Sequence, residues 1–453
     1  MANDKFTKAC TGLLKKTKKK ETLSVLVRTK PATQADKEAR HAFTMVRDEQ
    51  LATRRSELLA RVHERYGTGK RFCKNLEDSM RRAQRKAIKA APKATSLWLA
   101  DAIAVTGTRS EIEDFAAHED VEAVDVNPTF KVPETLKTPL EGTPDVVDGS
   151  AWGLANTRAT EVWGGYGRGE GVLIGHLDTG VDDTHPALAG KVALFEEFDA
   201  IGLPLGTAPH DTGSHGTHTA GTICGSNYRG VNIGVAPDAQ LASALVLSGP
   251  GSSGTFAQIV AGMQWAVVNN VNAINMSLGG IGYTPLWNLP VLLATLSGAL
   301  VIASIGNSGH GTSGGPGNDL FSIGVGATHY LDKPAGFSGG ETLVGVNHVL
   351  LSPIFGPLTY MKPDISAPGV GVLSSVPGPD IAAFNGTSMA APHVAGCVAL
   401  LLSAAPSLAG DPFALRSVLL ATIEDYGEAG RDQRFGFGRL DALAAAQTAV
   451  SVS

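Results

Sequence analysis

Between residues 172 and 325 the chain returns five times to a short, mostly apolar run, at 172–177, 241–247, 273–276, 299–303 and 321–325. A strand with one wet face alternates in polarity. A mostly apolar run of about five residues without alternation suits a strand covered on both faces, as in a parallel sheet flanked by helices. Helical patterns at 256–269 and 286–297 fall between several of the runs. That alternation predicts an α/β fold with a doubly wound, mostly parallel sheet. The 453 residues and 54 glycines leave room for a large core, abundant loops and a second, smaller unit. No apolar run reaches the ~20 residues of a membrane span, so no membrane partner is expected.

Four polar positions stand out against this frame. Asp178 closes the first apolar run, where its carboxylate is expected to be desolvated and held by nearby donors. His215 opens a small-residue stretch, His-Gly-Thr-His-Thr-Ala-Gly-Thr, that packs closely as a helix, with His218 one turn on as a structural residue. Asn307 sits in a glycine-rich loop just beyond the fourth run. Ser388 follows Gly386-Thr387 and precedes another small-residue run, which reads as a hydroxyl at the start of a buried helix. Free N–H groups and the positive dipole end at such a start face any oxyanion formed beside the hydroxyl. A lone Gly-Thr-Ser is ordinarily only a helix cap, and a lone histidine is ordinarily structural. The weight lies in the whole strings.

Those strings resemble the motifs of the subtilisin-like serine peptidases (subtilases), over roughly residues 150–450. The order Asp178, His215, Ser388 is the one known for subtilisin. The resemblance implies Asp178 as orienting acid, His215 as general base, Ser388 as nucleophile and Asn307 as oxyanion-hole donor, with no cofactor required for catalysis. It also implies that Ser248, Gly249 and Gly251, and opposite them Ser277, Leu278, Gly279 and Gly280, flank an extended substrate strand. Ser308, where some relatives carry an acid, removes one reason for a basic preference and points to a roomy, fairly apolar pocket. Calcium often stabilises the family. The loop 226–237 has the length of a calcium loop but lacks its run of amide ligands, and Asp182, Asp183, Glu196, Glu197 and Asp199 read first as a solvated surface, with a bound ion the alternative.

The N-terminal third differs in charge. Residues 1–92 carry 24 Lys+Arg against 10 Asp+Glu, and the remainder carries 14 against 33. Residues 1–20 read as a disordered basic tail. Residues 21–132 read as an α+β unit, ferredoxin-like in order, with a strand at 22–29, basic helices at 33–66 and 75–91, strands at 97–106 and 121–126, and a helix at 110–118. Residues 93–130 are similar to subtilase propeptides, and the added helices resemble those of bacillopeptidase F-like members. Residues 133–150, rich in Pro, Gly and acid, read as a linker open to a maturation cut, and 151–453 as the peptidase domain. The basic unit is expected to dock on its own acidic partner domain. The basic helices have no aromatic interleaving, which leaves nucleic-acid binding a remote alternative.

The four cysteines are sparse, without metal spacing, and read as buried free thiols. The lysine-rich start has no secretory signal pattern, so a cytoplasmic location is expected, with non-standard secretion the other route. The expectation is a monomeric serine endopeptidase acting on protein or peptide substrates and processed by itself from a proenzyme. A dedicated precursor-processing peptidase of narrow specificity is the alternative.

Overall fold

A computed structural model describes residues 2–18, 20–30, 78, 81, 84, 87–89, 93–132, 145–349, 351–352 and 356–453. The expected helix at 33–66, most of the second basic helix, Cys73 and the linker at 133–144 lie outside the described residues.

The N-terminal domain is an antiparallel sheet of β1 (Thr22–Thr29), β2 (Ala94–Leu97), β3 (Ala102–Thr108) and β4 (Val121–Val126), in the order β2-β3-β1-β4. One face buries Val25, Val27, Ile103 and Val105 against α2 (Arg109–Ala116). That helix starts with a reciprocal cap between Thr108 and Glu111. Cys10 and Leu14 join the same core from α1 (Lys8–Lys16). The start of the chain is therefore a packed helix and not a disordered tail: two apolar residues four apart turn to the sheet, while the lysines stay in solvent. Residues 97–106 also differ from expectation. A 3-10 turn at Trp98–Ala100 and a left-handed Asp101 (φ 47°) reverse the chain, which gives two paired strands in place of one.

After β5 (Thr129–Lys131) the larger domain begins. The strands that frame the site are β6 (Leu173–Asp178), β7 (Val192–Glu197), β8 (Gln240–Leu245), β9 (Ser253–Thr255), β10 (Ala273–Met276), β11 (Leu300–Ser304), β12 (Ile323–Thr328) and β13 (Ile365–Pro368). Seven of them form one sheet, β13-β12-β11-β10-β6-β8-β7, and every neighbouring pair is parallel. The five apolar runs are its interior strands, as predicted. The two edge strands were missed for different reasons: Val192–Glu197 is half exposed and mixes acids with apolar residues, whereas Ile365–Pro368 is buried throughout but is a short segment interrupted by Ser366 and ended by Pro368.

Side chains alternate between two cores. Ile174 and Leu241 face α3 (His215–Cys224), α6 (Thr387–Ala404), α7 (Pro412–Ala421) and α8 (Ala442–Val452). Leu177, Ala242 and Ile274 face α4 (Phe256–Val268) and α5 (Asn288–Leu296). Among the described residues α6 alone is long and apolar enough to cross a membrane, and 89% of it is buried inside the protein. Burial pushes the thiol of Cys224, between these helices, up to about 12.

The second core also contains Leu26, Leu97, Trp98 and Leu99 of the N-terminal sheet. The two domains therefore share an apolar interface. Gln264 of α4 bonds the backbone of Leu99 and Ser96, and Lys93 pairs with Asp199 at 3.2 Å.

Candidate active site

The chain enters the sheet at β6, in its middle, runs out to one edge and then builds the other side. At the reversal the carboxyl end of β6 opens into a crevice, where sheets of this kind bind ligands. Asp178 stands there, fully buried. Its Oδ1 accepts from Thr179 N–H and His215 Nδ1–H, both at 2.7 Å, and its Oδ2 accepts from the Thr219 hydroxyl at 3.1 Å. Burial alone would raise its pKa, but the charge and hydrogen bond of His215 outweigh that and hold the carboxyl below its ordinary value.

His215 is the first residue of α3, which approaches the Asp178 turn closely. A Cβ on Gly216 would lie 2.0 Å from Gly180 O. Asp211, which the sequence reading did not single out, ties the two segments together. Its Oδ1 accepts from Thr179 Oγ1 (2.7 Å) and Gly213 N–H (2.8 Å), and its Oδ2 from Thr217 N–H (2.8 Å) and Oγ1 (2.6 Å). An acid just ahead of a helix start was the available signal. His218 lies with its Nε2 2.9 Å from Val372 O and 3.1 Å from Ala382 O, stacked on Phe384 at 4.3 Å. Burial lowers its pKa to about 3, so it is a neutral brace.

Ser388 is the second residue of α6, whose cap is Gly386. A Cβ on Gly386 would lie 3.2 Å from Asn307 Nδ2, so glycine lets the amide come close. Pro392 has no N–H to bond the carbonyl four residues back. That carbonyl belongs to Ser388, and the Ser277 hydroxyl donates to it at 2.8 Å. In return the Ser388 hydroxyl donates to Ser277 O at 3.3 Å. His215 Nε2 is buried without a hydrogen-bond partner. Bonds of this kind are often long in ligand-free enzymes and close on substrate binding. Asn307 Oδ1 accepts from Thr387 N–H (2.9 Å) and Oγ1 (2.8 Å), which fixes the amide with its N–H groups directed away from Thr387. A desolvated acid bonded to a histidine with one free ring nitrogen, and a serine at a helix start beside an amide group, are the groups that acyl transfer uses.

Between the two expected flanking segments lies β5. It pairs antiparallel with β9 (Lys131 opposite Ser253, Phe130 opposite Gly254), and Lys131 exchanges both backbone bonds with Gly279, at 3.0 and 3.2 Å. Val132 N–H donates to Ser252 O at 3.0 Å. The Phe130 ring sits 4.9 Å from Trp287 and 6.4 Å from Phe256, over Gly280. On one side the pairing is shifted from expectation. Ser248 accepts from Gln258, Gly249 pairs with Ser253 within the loop, and Gly251 turns the chain at φ 68°. Residues 252–255 line the groove in their place. On the other side Gly279 bonds the strand, Ser277 braces Ser388, and Leu278 and Gly280 line a cavity of about 370 Å³. Gly306, Asn307, Ser308 and Gly314 add small groups to its wall, which Phe130 and Lys131 of β5 also line.

Most of the calcium candidates have hydrogen-bond partners within the protein. Asn227 donates to Asn232 Oδ1, and the loop 226–237 closes through Tyr228 and Val231. Asp182, Asp199 and Glu196 accept from their own loops. Among the described residues no group of three or more His, Cys, Asp or Glu side chains is placed to hold a metal ion.

Residues 169–438 match the Subtilase family. Similar proteins include subtilisin E of Bacillus subtilis (strain 168), 34% identical over 301 residues, 65% of this chain and 71% of the relative. Subtilisin of Bacillus pumilus is 35% identical over 261 residues (56% and 86%), and alkaline elastase YaB of Bacillus sp. (strain YaB) 34% over 329 (72% and 77%). The chain belongs to the subtilase family. It is a serine endopeptidase with the α/β subtilisin fold.

Proposed function

We propose that Ser388, His215 and Asp178 form the catalytic triad and that the N-terminal domain is a propeptide removed by the enzyme itself. In this mechanism His215 Nε2 takes the Ser388 proton as the hydroxyl attacks a peptide carbonyl, then donates it to the leaving amine. Asp178 stays ionised, keeps the second proton on Nδ1 and stabilises the imidazolium. Asn307 Nδ2 and the Ser388 N–H hold the tetrahedral oxyanion, and water then releases the acyl group by the same proton path in reverse. Substrates bind as an added strand, with a P1 side chain of apolar or broad character in the small-residue cavity.

The observation that carries the propeptide reading is β5, bonded on both sides between residues 252–255 and Gly279. It already lies as a substrate strand would. The shared apolar core of the two domains supports an intramolecular role for the basic half over nucleic-acid binding. The test is the intact mass of wild type beside Ser388→Ala. The expected result is loss of about 130–150 residues in wild type alone, by the position of β5 and the linker after it. Equal cutting of both proteins would show that another peptidase matures the chain.

A further inference from the structure

His176 is an imidazole in the middle of a central strand, two residues before Asp178 and fully buried. A polar group there is tolerated only when its hydrogen bonds are complete, and here they are. Nδ1 lies 3.0 Å from Ser243 Oγ on β8, and Nε2 lies 2.8 Å from Thr219 Oγ1 on α3. Thr219 in turn reaches Asp178 Oδ2.

The direction of every proton in this chain follows from its end. An ionised carboxylate only accepts, so the Thr219 hydroxyl proton points to Asp178. Gly216 O, also 3.1 Å away, is the weaker acceptor. Thr219 Oγ1 must then accept from His176 Nε2–H, which leaves Nδ1 to accept from the Ser243 hydroxyl. Burial, the largest influence on His176, lowers its pKa and keeps it in this neutral form. All four residues are fully buried, so water cannot replace any link.

We propose that His176 and Thr219 are positioning residues for the catalytic acid, a reading that rests on Asp178, His215 and Ser388 being the triad. The hydroxyl–imidazole–hydroxyl chain fixes the rotation of the Asp178 carboxylate, so that Oδ1 stays in line with His215 Nδ1 through the reaction. Neither residue touches substrate. Their effect falls on kcat.

The test uses Thr219→Val, Thr219→Ser, Ser243→Ala and the double variant His176→Val/Thr219→Val. Turnover of a peptide amide, thermal unfolding and fluorophosphonate labelling of Ser388 are measured for each. Thr219→Val removes a hydrogen bond to a charged group and is expected to lower kcat roughly ten- to a hundredfold with KM unchanged. Thr219→Ser restores kcat, and Ser243→Ala, two links away, loses less than Thr219→Val. The double variant separates positioning from packing. With both polar partners gone, no buried N–H is orphaned and only the Ser243 hydroxyl loses its acceptor, so the melting temperature recovers in part, while kcat stays low. If Thr219→Val does not fold, the double variant carries the test alone. Recovery of kcat together with stability in the double variant would overturn the proposal, as would a Thr219→Val variant altered only in melting temperature. Failure of wild-type Ser388 to label would instead sink the triad reading beneath it.

Discussion

The two halves of the crevice differ in how completely their polar groups are satisfied. On the acid side Asp178 accepts three hydrogen bonds, and Asp211 locks the turn and the helix that meet there. On the serine side His215 Nε2 is bare and the Ser388 hydroxyl rests on Ser277 O. The contrast separates groups that must stay still during acyl transfer from those that must change partners. Preorganised donors and acceptors need no rearrangement as charge develops. In the proposed mechanism the Ser388 hydroxyl leaves that neutral carbonyl for the histidine once substrate arrives.

Variants on the two sides should fail in different ways. Ser388→Ala removes the reacting group and should reduce peptide hydrolysis by about 10⁶, the scale known for the nucleophile in subtilisin, without lowering the melting temperature. Asn307→Ala should lower kcat by the roughly 10²–10³ known for loss of this donor in subtilisin, with KM little changed. A comparable rise in KM would place Asn307 in ground-state binding instead. Asp211→Ala, on the acid side, should lower kcat/KM about tenfold and the unfolding free energy by about 2 kcal/mol, since it strips a cap and four donors of their acceptor. Full activity with lowered stability would show that the two segments hold register without it.

The smallest effect concerns pH. Burial, with nearby His215, holds His218 at about 3, and burial holds His393 at about 4, against about 6.5 in an unfolded chain. As pH falls below about 6.5 the unfolded state takes up protons that the folded state does not. Stability should therefore drop by up to about 1.4 kcal/mol per pH unit for each histidine, down to about pH 4. Denaturant midpoints between pH 7 and 4 measure it, and His218→Phe should flatten the slope. An unchanged slope would mean that His218 is charged in the folded protein.

Much of the fold was legible because interior strands and active-site strings are local in sequence. The runs at 273–276 and 299–303 needed only their own residues to announce burial on both faces. What was missed depends on neighbours. The helix Lys8–Lys16 looked too charged to order, yet Cys10 and Leu14 find a sheet face made far along the chain. The groove segment slipped from 248–251 to 252–255, because a hairpin closed by Gly249 and Ser253 projects the later residues toward β5. Asp211 and His176 look ordinary in sequence. Their importance lies in the partners that the fold brings to them, Thr217 for one and Thr219 for the other.

The most direct test of the account is the site of fluorophosphonate attachment, mapped by mass spectrometry in wild type and His215→Ala. The account predicts one adduct, on Ser388, in wild type and a greatly slowed reaction in the variant, where no base takes the proton. An adduct on another serine, or equal labelling of both proteins, would contradict it.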